Sequence, residues 1–349
     1  MRKSWISIEK NFNSMIFKLK LFQYHLKSVI MNNNVTTGGK RMLKIDLGKS
    51  GLLASNISLG CMRMAEKSDV EAASIITAAY EAGINFFEHA DIYGSGTSEE
   101  IFARGLIEAG IKRENIILQS KCGIRPAEGM FDFSKEHILK SVEGILKRLD
   151  TDYIDVLALH RPDTLVDPTE VAMAFDELQK SGKVRHFGVS NQNVAQMEFL
   201  SKYVNQKLIV NQLQFSIMHT PMIDHGFNVN MTRDSKSIDY DGGILEYTRM
   251  HDVTIQAWSP YQFGFFEGVF VDNPKFPRLN VKLEEIGNKY GISKTAVATV
   301  WILTHPANMQ VVIGTMNERR IKDIANASKI KLTRQEWYEI YCAAGNVLP

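Results

Sequence analysis

From residue 55 onward, short apolar runs rich in β-branched and aromatic residues alternate with longer segments of helical period, and this alternation limits the fold more than any other feature. The runs are SNISLG (55–60), INFFEHA (84–90), IILQSK (116–121), IDVLALH (154–160), VRHFGVS (184–190), IVNQLQF (209–215), TIQAWS (254–259) and QVVIGT (310–315). Strands that alternate with helices make a parallel sheet covered by those helices. Eight of them predict closure, so the expected fold is of the α/β class, a (β/α)8 TIM barrel, for which about 250 residues suffice. Helix starts are marked by local chemistry. Ser68 with Glu71 and Thr97 with Glu100 match capping boxes, while Asp167, Pro168 and Glu170 order an N-cap, an N1 proline and an N3 acid. Segments 216–243 and 260–279 exceed simple connections and are expected to wall a pocket, with Phe263, Phe265, Phe266 and Phe270 on its apolar side. A last helix over about 333–344 is expected on the outside of the barrel.

Charge separates the chain into two parts. In residues 1–41 six lysines and two arginines face the single acid Glu9, yet the formal net charge of all 349 residues is only +2. That stretch reads as a basic N-terminal extension, disordered or artefactual, in preference to an amphipathic helix lying on a membrane; residues 42–349 carry the barrel. With no strong basic field in the main body, a nucleic-acid partner is not expected. No uninterrupted run of about 18 apolar residues predicts an integral membrane segment. The cysteines Cys61, Cys122 and Cys342 lack metal-ligand or disulfide spacing, so no metal is expected and a reducing, cytoplasmic setting fits best. The number of subunits leaves no trace in the sequence.

Barrels of this kind place their sites on loops at the C-terminal strand ends. Those positions hold Glu88, Asp91 and Tyr93 after the second strand, Lys121 at the third and His160 at the fourth. Any one of these could be half of a rim salt bridge. A carboxylate, a phenol, an ammonium and an imidazole on three consecutive strands point instead to a catalytic cluster. The chemistry expected is proton transfer by a phenol: Lys121 would lower the Tyr93 pKa, Glu88 would hold Lys121, and His160 would polarise a substrate carbonyl.

The segments FFEHADIYG (86–94), LQSK (118–121), LALHRP (157–162), GVSN (188–191), VNQLQFS (210–216), AWSP (257–260) and IGTMNERRI (313–321) follow one another in the order known from the aldo-keto reductases, and the chain resembles that family over residues 43–330. The resemblance implies NADPH-dependent reduction of a small-molecule aldehyde or ketone by a catalytic set of Tyr93, Lys121, His160 and Glu88. It also implies cofactor contacts from Ser190, Asn191, Gln212, Trp258, Ser259, Gly314, Thr315 and Arg320, with Arg320 on the adenosine 2′-phosphate. Two positions depart from the family pattern. Glu88 stands where Asp is usual, moving the carboxylate by about 1.5 Å unless the side chain folds back, and Ile324 stands where many members have an adenine-contacting Asn. GSG at 94–96 is no dinucleotide fingerprint, because Glu99 occupies its third glycine position. A nucleotide-sensing binding protein on the same barrel is the competing function, since fold does not fix activity.

Overall fold

The computed structural model describes residues 42–349 except 233 and 234. The basic extension expected over residues 1–41 lies outside the described residues. The remainder contains eight parallel strands, β3 (Ile57–Gly60), β4 (Phe86–Glu88), β5 (Ile117–Cys122), β8 (Ile154–Leu159), β9 (Val184–Ser190), β10 (Leu208–Gln214), β11 (Thr254–Trp258) and β12 (Gln310–Ile313). They pair in chain order, and β12 pairs with β3 to close the barrel. Each expected strand is present, generally a few residues shorter than its apolar run. The helices α1 (Asp69–Glu81), α2 (Thr97–Glu108), α3 (Lys135–Arg148), α4 (Pro168–Lys180) and α5 (Val194–Ser201) follow the first five barrel strands, and β6 (Ile124–Arg125) and β7 (Met130–Phe131) form a small hairpin before α3.

The Ser68 and Glu71 capping box forms, and the Asp167 side chain accepts from the Thr169 amide ahead of Pro168. No box forms at Thr97 and Glu100. Gly94, Ser95 and Gly96 take left-handed backbone at φ 57°, 54° and 95° and lead straight into α2, so Thr97 is already helical where an N-cap must be extended. Segment 216–243 is not wholly irregular, since it contains α6 (Pro221–Phe227) ahead of α7 (Ile244–Met250). The seventh crossover holds two helices, α8 (Pro277–Tyr290) and α9 (Lys294–Thr304), and α10 (Glu318–Ala327) follows the eighth strand. The last helix, α11 (Arg334–Ala343), docks on α9 through stacked indoles 4.6 Å apart. Trp301 and Trp337 donate each indole N–H to the other's backbone carbonyl, at 3.0 and 3.1 Å, so this aromatic contact leaves no polar group unpaired.

One end of the barrel is plugged. The hairpin of β1 (Lys44–Asp46) and β2 (Leu53–Ser55) buries Ile45, Leu47 and Ala54 against Phe86, Ile117, Val156, Ile209 and Val210, which lie near the N-terminal ends of their strands or just inside them. A Cβ on Gly48 would come within 2.6 Å of the Ile209 side chain, and its φ of 57° also calls for glycine. The barrel interior is less apolar than its architecture alone predicts. Gln212, Gln256 and Gln310 are register partners around the wall, with Gln256 donating to Gln310 at 2.8 Å and accepting from Gln119 at 2.9 Å. Such a ladder pairs most of its buried amide groups internally, leaving Gln119 Oε1 without a partner among the described residues. It forms a polar floor beneath the open C-terminal end.

No helix among the described residues is long and apolar enough to cross a membrane.

Candidate active site

The open end receives the ionisable groups noted at the strand ends. Glu88 closes β4 with 2% of its surface exposed, and Lys121 in β5 is fully buried. Lys121 Nζ pairs with Glu88 Oε1 and also donates to the His89 carbonyl at 2.8 Å. Tyr93 is set by the turn after β4, where its amide donates to the Ala90 carbonyl at 3.0 Å. The next residue must be glycine, because a Cβ on Gly94 would lie 2.5 Å from that of Ala65. His160 follows β8, held by its amide to the Cys122 carbonyl, and its ring meets that of Tyr93 edge-on at 6.1 Å.

These groups are together, but Lys121 and Tyr93 are coupled differently from the sequence expectation. The Tyr93 hydroxyl donates to Glu88 Oε1 at 3.2 Å, and Lys121 Nζ lies 4.7 Å from the centre of the phenol ring, below its face. Glu88 reaches the phenol because its extra methylene carries the carboxylate between the ammonium and the hydroxyl. Gln212 Nε2 adds a third donor to the same oxygen at 3.3 Å. Room for the longer acid comes from Gly60, the register partner of Glu88 on β3; a Cβ there would stand 3.1 Å from Glu88 Oε2. Burial, and next the Glu88 charge, push the Tyr93 phenol well above its usual range, opposite to the lowering expected from Lys121. Burial, reinforced by Lys121 and Arg161, holds His160 well below the usual imidazole range, so its ring is neutral.

Asp91, read as a loop residue in the sequence, donates its amide to the Lys121 carbonyl at 3.0 Å, while its carboxylate does not pair with the Lys121 ammonium. Burial and the neighbouring Glu99 push its carboxyl up to about 7, while Glu99 itself pairs with Arg148 at 2.7 Å and accepts from Ser120.

The residues expected to hold the cofactor and those expected to be catalytic, apart from the fully buried Lys121, line one cleft of about 1070 Å³. Ser190, Asn191 and Trp258 form a connected group. Asn191, at φ 57°, donates to Ser190 Oγ at 2.7 Å and to the His160 carbonyl at 3.3 Å, and accepts from the Trp258 indole at 3.1 Å. Gln212 belongs to both the cleft and the interior ladder. Ser259 adopts φ 51° beside Trp258. Beyond β12, Gly314 and Thr315 lead to the N-terminus of α10, where Asn317 caps the helix by accepting from the Arg320 amide at 2.9 Å. The Arg320 guanidinium has no ion pair or hydrogen bond among the described residues and lines this end of the cleft. Ile324 points into the core with no exposed surface.

Of the four phenylalanines expected on the pocket wall, Phe265 and Phe266 line the cleft. Phe270 is fully buried and Phe263 packs on Phe276 at 4.9 Å, so those two anchor the loop. Sequence reasoning passed over Arg161, which lines the cleft directly after His160, and Gly60. Adjacency to His160 was the available signal for the first; register with Glu88, visible only once the sheet is paired, was needed for the second.

The Aldo/keto reductase family model matches residues 56–343. Among curated proteins, the "Uncharacterized oxidoreductase YcsN" of Bacillus subtilis is 38% identical over 315 residues, covering 86% of this chain and 98% of its own length. The "6-dehydroglucose reductase" of Agrobacterium fabrum is 33% identical over 302 residues, covering 83% and 94%. Among solved structures, an aldo/keto reductase from Klebsiella pneumoniae in complex with NADP and acetate superposes with a TM-score of 0.69 at 21% identity, over 86% of this chain and 94% of that one.

Proposed function

We propose that this chain, which belongs to the aldo/keto reductase family, reduces an aldehyde or ketone to an alcohol with NADPH, using Tyr93 as general acid. The observation that carries the reading is the buried convergence of Tyr93, Glu88, Lys121 and neutral His160 on one wall of the cleft. NADPH fits the donor set of that cleft. A forked guanidinium without a protein anion suits a phosphate, and it stands beside a helix N-terminus whose first amides have no intrahelical partner. At the other wall, Ser190, Asn191 and Gln212 offer the paired donors and acceptors that a carboxamide needs, and Trp258 offers a flat face. Ile324, being buried, is a packing residue, which leaves the adenine contact to other groups.

When bound, NADPH supplies the hydride accepted by the carbonyl carbon. The chain's own residues then manage the oxygen. A neutral imidazole at His160 donates a hydrogen bond to the carbonyl oxygen, orienting it and drawing off charge. Tyr93 delivers its proton to that oxygen as the C–O bond becomes single, and the resulting phenolate is reprotonated before the next turnover. Lys121 pairs with Glu88 and holds it in place, so the carboxylate that meets the Tyr93 hydroxyl has a set position.

Purified protein given NADPH and a panel of aldehydes and ketones tests the reading, with loss of NADPH absorbance as the measurement and Tyr93→Phe as control. A second reading, a nucleotide-sensing binding protein, draws support from the bond that holds the Tyr93 proton against Glu88. Cofactor binding without any Tyr93-dependent oxidation would select it.

Two further outcomes are expected. Arg320→Ala raises the KM for NADPH by about tenfold or more and leaves that for NADH nearly unchanged, because only the 2′-phosphate loses a charged partner. An equal change for both cofactors would remove Arg320 from that contact. Glu88→Asp withdraws the carboxylate from the Tyr93 hydroxyl. Reduction needs the protonated phenol, so activity is present below the phenol pKa and lost as pH rises through it. Since Glu88 is one cause of the raised phenol, the alkaline limit of kcat/KM moves to lower pH in Glu88→Asp. Turnover at neutral pH rises by up to about tenfold as the proton is held less tightly. An unmoved alkaline limit would mean that Glu88 does not govern Tyr93.

A further inference from the structure

Arg161 follows His160 directly and lines the same cleft. Its guanidinium carbon lies 5.8 Å from the centre of the Trp258 ring and 6.0 Å from that of Phe265, so two aromatic groups fix its position without neutralising it. Other arginines of this chain that stack on a ring are differently provided. Arg113 and Arg185 lie 4.1 and 3.7 Å from the Tyr153 ring, and both pair with Asp155, at 2.7 and 3.1 Å. Arg161 has neither an ion pair nor a hydrogen bond among the described residues. It is half-buried, and burial lowers its pKa while Tyr93 opposes that change. A partly desolvated guanidinium with no protein anion is costly, and an anion brought by a ligand removes the cost.

The cofactor phosphates are poorly placed to be that anion. Arg161 follows β8 and Arg320 follows β12, which lie four strands apart in either direction around the closed barrel. They therefore stand on opposite sides of the mouth. The reacting carbonyl, by contrast, must sit between Tyr93 and His160, next to Arg161.

We propose that Arg161 is a specificity residue that selects carbonyl substrates bearing a carboxylate, that is, aldehyde acids and keto acids. This rests on the reductase reading of the same site. One planar guanidinium matches one planar carboxylate through two parallel hydrogen bonds, whereas a phosphate dianion would remain half-compensated. Lys67, the lysine that lines the cleft, is already engaged with Glu71 at 3.6 Å. Trp258, Phe265 and Phe266 supply an apolar surround in which that ion pair is strengthened.

Matched substrates test the assignment: 4-carboxybenzaldehyde against 4-methylbenzaldehyde, with NADPH, on the full chain and on Arg161→Gln and Arg161→Lys. The full chain is expected to prefer the carboxylated aldehyde in kcat/KM by about tenfold or more, mainly through KM. Arg161→Gln brings the ratio close to one, and Arg161→Lys keeps part of it. A ratio near one in the full chain, or one unchanged by Arg161→Gln, overturns the proposal. If neither aldehyde is reduced, the reductase reading is what fails, and binding decides the anion site by itself. Calorimetric titration of the NADP-loaded protein with benzoate and with benzamide is then the measurement. Benzoate binding that is tighter than benzamide binding and lost in Arg161→Gln supports the assignment; equal binding of the two overturns it. Thermal unfolding of each variant shows that it is folded.

Discussion

Tyr93→Phe is expected to lower kcat for carbonyl reduction by about a thousandfold, the range in which positioned general acids act, and to leave the dissociation constant for NADPH within about twofold. The substitution removes one oxygen. Packing of the ring against His160 at 6.1 Å and over Lys121 at 4.7 Å is retained, so the cleft keeps its shape. Glu88 Oε1 loses one of three donors but keeps Lys121 and Gln212, so the cost to folding is about 1 kcal/mol or less. A binding constant from the quenching of protein fluorescence by NADPH and a single-turnover rate with saturating aldehyde measure the two quantities separately. Turnover within tenfold of the unaltered chain would show that another group delivers the proton. A parallel loss of NADPH binding would show that the phenol serves the cofactor instead.

Much of this architecture is legible along the chain because it depends on period and on local end chemistry. Alternating runs locate every barrel strand, and Ser68, Glu71 and Asp167 mark helix starts whose capping bonds form as expected. The failure at Thr97 is instructive. A capping box is a statement about side chains, but an N-cap also needs extended backbone, and three left-handed residues immediately before Thr97 bring the chain in by another route. The hairpin that plugs the barrel is hard to read because each of its strands has only three residues. Length that short carries no period. The glutamine ladder is hidden for a different reason: each glutamine looks like an isolated polar residue until pairing sets Gln212, Gln256 and Gln310 side by side.

At the site, identities were easier to read than couplings. Tyr93, Lys121, His160 and Glu88 are marked by their places at strand ends. Which of them touch is decided by side-chain length, and a single methylene at Glu88 changes it. With aspartate at this position the carboxylate could hold Lys121 without reaching the phenol. With glutamate, and with Gly60 leaving space across the strand pair, it bonds to both.

The ion pair of Lys121 and Glu88 has the second large effect. Lys121→Met keeps the length of the aliphatic stem beneath Tyr93 but leaves the Glu88 carboxylate buried without its cation. Removal of one partner of such a pair costs ~3–5 kcal/mol, measurable as the free energy of urea unfolding, and turnover is expected to fall by at least about a hundredfold. A structural role and a catalytic one separate in the double variant Lys121→Met with Glu88→Gln. Glutamine at 88 restores a neutral group of similar length that Gln212 and Tyr93 can still meet, so most of the lost stability returns, as it does when both members of a buried pair are removed together. Activity does not return, because no ion pair then fixes the group that meets the Tyr93 hydroxyl. Recovery of both stability and turnover would reduce Lys121 to a packing residue. A single variant that loses less than about 1 kcal/mol would mean that Glu88 finds its compensation elsewhere, with the Tyr93 hydroxyl and Gln212 Nε2 then the first donors to examine.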